Sequence, residues 1–162
     1  MLRIIPALAL IAVSAVPAFA GCEEAAWDGA TVAQQLEAAA PRDAGAALPP
    51  PDAPAFLLAL APQSEVTFVL PPERAPRKET PHAAVLSFPG GAAGTYRVAL
   101  SASAWIDLVQ DDASLPSAGF VDFTDCPGLR KMVAFEIGDG PFTLQISDAE
   151  EDSIAVAVIA AR

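Results

Sequence analysis

The residues able to do chemistry in this chain are few, and their spacing excludes more than it offers. Two cysteines (Cys22 and Cys126), one histidine (His82) and twenty acidic side chains make up the reactive inventory. A lone histidine cannot supply the two-histidine, one-carboxylate triad that holds Fe(II) in non-haem oxygenases. It also sits in Thr80-Pro81-His82, a turn-like context at the start of an apolar run. No Gly-x-Ser-x-Gly elbow occurs. Cys126 precedes Pro127-Gly128, not a helix that would depress its pKa. Gly90-Gly91 lacks the lysine and helix of a phosphate-cradling loop. No catalytic residue and no cofactor is expected on these grounds.

Carboxylates are plentiful: Asp111-Asp112, Asp122 with Asp125, and the run from Asp148 to Asp152. Two of them held about 5–10 Å apart across a cleft could hydrolyse a glycoside. Asp148, Glu150, Glu151 and Asp152 are weak candidates for calcium, a hard ion that takes about six to eight oxygens. Neither EF-hand spacing nor an acidic repeat accompanies them, and solvated loop tips are the simpler reading.

The residues that could contact a partner are basic or aromatic. Pro71 to Pro81 carries four prolines with Arg74, Arg77 and Lys78, a positive loop on an acidic body or, more plainly, a solvated hairpin connection. Trp105, exposed, could stack on a sugar, but on an alternating strand either it or Ile106 must face inward. Arg130 and Lys131 open a strand beside the cysteine loop, and would pair with Asp107 or Asp125 if they only form an exposed rim.

These side chains need elements to hold them. Residues 1–20 read as a secretory signal peptide, with Arg3, an aliphatic Ile4 to Val16 stretch and an Ala18-Phe19-Ala20 cleavage site. Export makes the compartment oxidising, so Cys22 and Cys126 are candidates for a disulfide. Closing a loop of that length would stabilise the fold by about 4–5 kcal/mol. Phe19-Ala20-Gly21-Cys22 also resembles a bacterial lipobox, departing from it at Phe19 where an aliphatic residue is usual; on that alternative Cys22 is a lipid anchor and the protein an outer-membrane lipoprotein. The net charge of −11 opposes nucleic acid and anionic lipid as partners, and past the signal no apolar run is long enough to span a bilayer.

Residues 21–54 form an N-terminal arm. Thr31 to Ala40 reads as a short helix opened by a Thr31/Gln34 capping box, and the proline-rich stretch 41–54 is expected to decouple the arm from the rest of the chain. From 55 to 162 the pattern is one of short alternating strands, near 55–60, 65–70, 83–89, 94–100, 104–109, 119–123, 130–137, 142–147 and 153–160. Val133, Phe135 and Ile137 share a face, as do Phe142, Leu144 and Ile146, with Gly138-Asp139-Gly140 as a hairpin-length link. No helical segments separate the strands, so the fold class is all-β, an antiparallel, jelly-roll-like sandwich.

Gly94 to Leu100, Ala104-Trp105-Ile106-Asp107-Leu108, Cys126-Pro127-Gly128-Leu129-Arg130-Lys131 and Phe142 to Ser147 together resemble a group of small exported bacterial proteins that often carry the label homogentisate 1,2-dioxygenase. The most specific piece is Cys126-x-x-x-Arg130-Lys131. These segments fix no chemistry, so the resemblance transfers no site residue. The label implies an Fe(II) triad that one histidine cannot complete, and it is rejected for this chain. The expectation is a periplasmic or extracellular, non-catalytic β-sandwich that binds a protein or glycan of the envelope or plays a structural part there. The alternative is a small periplasmic hydrolase or metal-dependent enzyme using the acidic loops.

Overall fold

The computed structural model describes residues 21–23, 27–42, 48 and 50–161. The expected signal peptide and part of the proline-rich linker lie outside the described residues. Those described form one helix, α1 (Gly29–Glu37), and eleven strands: β1 (Ala40–Pro41), β2 (Phe56–Ala59), β3 (Ala61–Pro62), β4 (His82–Gly91), β5 (Gly94–Leu100), β6 (Trp105–Gln110), β7 (Ala113–Leu115), β8 (Ser117–Asp122), β9 (Lys131–Ile137), β10 (Gly140–Ala149) and β11 (Ser153–Ala160).

The strands build two sheets that face each other. One runs β1-β2-β11-β5-β9-β8 and the other β3-β4-β10-β6-β7. Apart from the parallel β1–β2 contact, the pairings are antiparallel. Without the two-residue strands and β8, the orders β2-β11-β5-β9 and β4-β10-β6-β7 alternate successive strands between the sheets except at the β6–β7 pair, as in a jelly roll. Between the sheets lies one apolar core. Phe135, Leu144, Ile146 and Val156, expected there from period-two alternation, are all at most 2% exposed. Phe88 and Phe142 stack within it at 4.9 Å.

Four expectations are corrected. Gly138-Asp139-Gly140 does not make a hairpin, because β9 and β10 belong to different sheets. Val133-Phe135-Ile137 and Phe142-Leu144-Ile146 meet the same core from opposite sides, an arrangement with the same alternation as a hairpin. The crossing is held by Gln110, whose Oε1 accepts from the Gly138 N–H at 2.7 Å while its Nε2 donates to the Gly138 carbonyl at 3.1 Å.

Residues 65–70 are not a strand. They form the end of a 3₁₀ turn (Gln63–Glu65) and then an irregular strap. The alternation is present, with Val66, Phe68 and Leu70 half-buried and Thr67 and Val69 exposed. The strap's amides are met by side chains instead of by a neighbouring ladder.

The N-terminal arm is not decoupled. Val32, Ala33 and Leu36 of α1 join Cys22, Ala99, Met132, Ala155 and Ala157 in a second apolar cluster on the outer face of the larger sheet. This supplies the packing that the thin apolar stripe of the helix lacks by itself. The capping box is not formed either. The helix starts at Gly29 with Asp28 as an N-cap that makes no side-chain bond. Only glycine fits at position 29, since a Cβ there would come within 2.5 Å of the Cys22 carbonyl oxygen. Cys22 and Cys126 are joined by a disulfide. The sulfur a lipid anchor would use is therefore taken, which argues against the lipoprotein alternative.

Candidate functional site: a basic cavity with an apolar slot

The strap from Val66 to Pro81 crosses the outer face of the smaller sheet, and polar side chains of that sheet hold it down. Gln145 of β10 points outward between the core residues Leu144 and Ile146. Its Oε1 accepts from the Val69 N–H at 2.7 Å and its Nε2 donates to the Leu70 carbonyl at 3.0 Å. Further along, Asp148 Oδ1 accepts from the amides of Arg77 and Lys78 at 2.8 and 2.9 Å. Gln145 and Asp148 are buried, so each bond shields an otherwise orphaned polar group. Anchoring of this kind suits a segment whose prolines cannot feed a ladder.

The anchored strap sets Arg74, Arg77 and Lys78 at one end of the sandwich. There they meet Trp105 at the start of β6, and Arg130 and Lys131 at the start of β9. All six line a single cavity of about 500 Å³. Five of the chain's nine basic residues are thus gathered around one opening, against two carboxylates, Asp122 and Asp148. Three ion pairs occur among the described residues: Arg77 with Asp148 (3.7 Å), Lys78 with Glu150 (2.8 Å) and Arg130 with Asp122 (3.5 Å). Arg74 and Lys131 belong to none of them. Both sit instead over the indole of Trp105, each 5.2 Å from its centroid. Burial lowers the Lys131 pKa; Asp122 works against this, while Arg130, Arg74 and Arg77 push the same way as burial.

A second cavity of about 290 Å³ adjoins this one and shares Arg74, Trp105, Asp122 and Lys131 with it. It is a slot between the two sheets, and its cause is a gap in pairing. β7 pairs with β6 only from Leu108 to Gln110, so Trp105, Ile106 and Asp107 have no strand on that side. Opposite them the larger sheet continues, with Phe120 in register with Val133 and Asp122 with Lys131. Residues directly opposite on an antiparallel pair share a face. Phe120 therefore lies on the same inner face as the core residue Val133, yet it is 63% exposed. The ring stands on the core side of its sheet and lines the slot opposite Ile106 and Leu115 of the other sheet.

Asp107 closes the slot on the strap side. It is 3% exposed, accepts from the Trp105 Nε1–H at 2.7 Å and, at 3.4 Å, from the Glu73 amide. Burial pushes its carboxyl pKa up, and these two bonds offset that in part. Glu73 in turn accepts from the Ser114 hydroxyl at 2.7 Å, which ties the strap to β7.

Expected and observed contacts differ in detail. Arg130 pairs with Asp122, not with Asp107 or Asp125, and Lys131 is half-buried instead of lying on a solvated rim. Trp105 is half-buried with cations over its ring, while Ile106 faces the core. The acidic run disperses: Asp148 turns to the strap and Glu150 to Lys78. No group of three or more His, Cys, Asp or Glu placed to hold a metal occurs among the described residues; of the calcium candidates Asp148, Glu150, Glu151 and Asp152, Asp148 holds the strap and Glu150 pairs with Lys78. His82 lines neither cavity. Phe120 and Leu115 were not legible as site residues. Trp105 and Asp107, two apart on an alternating strand, carried a signal that one could serve the other.

No family model, curated protein or solved structure matches the chain.

Proposed function

We propose that this protein is an exported, non-catalytic binding module of the cell envelope, and that its binding site is the basic cavity at the Trp105 end of the sandwich, which takes an anionic group. One observation carries the reading: in a chain of net charge −11, five cations converge on one opening, and Arg74 and Lys131 among them lack a carboxylate partner among the described residues. Charges left this way invite a ligand carboxylate or phosphate, since Arg and Lys are the residues that recognise such groups.

A periplasmic or extracellular place is supported by the disulfide, and no described helix is long and apolar enough to cross a membrane. A non-catalytic role is favoured by the site's content. Its carboxylates are engaged by Trp105, Ser114, Arg130 or strap amides, not poised in a pair. The rejection of iron-dependent dioxygenase activity rests on the single histidine.

The test is a titration of the mature chain carrying Trp27→Phe, which leaves Trp105 as the sole indole, with sodium acetate and sodium phosphate against sodium chloride at matched ionic strength. Saturable quenching or enhancement by either anion, lost in Arg74→Gln/Lys131→Gln, is the expected result. A response equal to that of chloride overturns the reading.

A further inference from the structure

Resting on that anion-site reading, we infer that the ligand is a small anionic amphiphile, whose head group sits between Arg74 and Lys131 and whose short apolar tail enters the slot between the sheets. The two cavities differ in character but are continuous through Arg74, Trp105, Asp122 and Lys131. The outer one is rimmed by Arg77, Lys78 and Arg130 as well, and is polar. The inner one is mixed: Leu115, Phe120, Val133 and Phe135 give it an apolar side, while Glu73, Asp107 and Asp122 also line it.

A purely hydrophilic anion would use the first cavity and leave the second unexplained. The slot exists because β7 stops short of Trp105–Asp107, and it leaves Phe120 on the inner face of its sheet, 63% exposed. Large apolar side chains on a core face are normally covered by the opposing layer. Here the uncovered ring stands beside a cation, with the Lys131 ammonium 5.9 Å from its centroid. An apolar tail laid between Phe120 and Leu115 would complete the core at the place where the smaller sheet lacks a strand. The same geometry sets the order of the ligand: charge at the mouth, tail inward.

Size and charge narrow the class. A slot of about 290 Å³ is at the low end of the ~300–1,000 Å³ usual for small-molecule sites, which favours a short single chain or one ring. Carboxylates line the slot too, Asp107 in its buried wall. Asp122 lies beside Lys131, and Glu73 beside Arg74. A polyanion would meet more of their repulsion than a single head group seated between Arg74 and Lys131, the two cations outside any ion pair among the described residues. Stacking of a sugar on Trp105 is disfavoured because Arg74 and Lys131 are already over the ring.

The experiment compares five probes by calorimetry and by Trp105 fluorescence in the Trp27→Phe background: octanoate, monooctyl phosphate, octanamide, and acetate and inorganic phosphate as head-only controls. Octanoate or monooctyl phosphate is expected to bind at least tenfold more tightly than its head-only control, and the tighter of the two identifies the head group. Octanamide is expected to bind at least tenfold more weakly than octanoate. Transferred nuclear Overhauser contacts should link the terminal methyl of the tail to Leu115 and Val133 methyls. Phe120→Ser, an exposed position that does not threaten folding, should lose at least fivefold for octanoate and leave acetate unchanged. Arg74→Gln should weaken both. If acetate and octanoate bind equally, the amphiphile inference is overturned while the anion site stands; if octanamide matches octanoate, the charge of the head group is not recognised and both readings fall. If none of the anions binds, both fall.

Discussion

Lys131, the first residue of β9, holds its ammonium 5.2 Å from the indole centroid of Trp105, the first residue of β6, although the two strands belong to opposite sheets. The contact bridges the open end of the sandwich. It places a cation where burial lowers its pKa and where other cations, Arg130, Arg74 and Arg77, repel it. Sites kept for binding commonly hold such uncompensated groups at a cost in stability.

Lys131→Met is therefore expected to stabilise the unliganded protein, by about 0.5–1 kcal/mol, while abolishing the response to anions. The thioether side chain keeps the apolar stem and removes the desolvated charge. Denaturant midpoints and anion titrations of the same samples check both halves. A variant that is less stable and still binds would contradict the account.

Phe135→Ala should cost about 3–5 kcal/mol. Its ring is 2% exposed in the main core, and little of the surrounding double-sheet packing can collapse into the space. Urea unfolding monitored by far-ultraviolet circular dichroism measures it. A loss below 1 kcal/mol would mean that the inward face of β9 is misassigned.

Reducing the Cys22–Cys126 bond should lower global stability by about 2–5 kcal/mol, not merely release an arm. Cys22 is packed with Val32, Leu36 and Met132 in the cluster that seals the outer face of the larger sheet. The melting temperature with and without reductant, compared with Cys22→Ala/Cys126→Ala, reads the effect. An unchanged melting temperature would restore the picture of an independent arm.

How far the sequence disclosed this is visible in particular residues. Alternation at Val133, Phe135, Ile137 and at Phe142, Leu144, Ile146 set the inward faces correctly, because a sandwich core selects side chains by parity along each strand. The same parity could not say whether β9 and β10 are hydrogen-bonded neighbours or face one another across the core. Val66, Phe68 and Leu70 alternate as a strand does, yet the partners of the strap are the side chains of Gln145 and Asp148, contacts about 70 residues or more away in sequence that no local pattern encodes. The six residues singled out for interaction do meet, but the apolar half of the site was hidden. Phe120 looked like one more strand residue, and only the early end of β7 leaves it uncovered.

The strap should loosen in acid. Burial raises the Asp148 pKa, but the amides of Lys78 and Arg77 and the Arg77 guanidinium outweigh it and hold the carboxyl below its usual value. A carboxyl depressed in the folded state contributes stability above its unfolded pKa, roughly pH 4, and loses it as pH falls through the folded value. Hydrogen exchange at the Arg77 and Lys78 amides should accelerate in that window. Asp148→Asn should show the faster exchange already at neutral pH, with a loss of about 1–3 kcal/mol. Protection that is independent of pH would show that Asp148 does not anchor the strap.

The central claim, an anion seat beside Lys131, is tested most directly by the Lys131 pKa. The chain has two lysines, Lys78 and Lys131, so their ¹³Cε resonances can be followed together through an alkaline titration. Lys78 is already raised by its hydrogen bond and charge contact with Glu150, whereas Lys131 is held low chiefly by burial. With saturating acetate or octanoate, compared with chloride at the same ionic strength, the Lys131 pKa should rise while that of Lys78 stays in place. A Lys131 pKa that does not move, or equal movement of both lysines, would contradict the account.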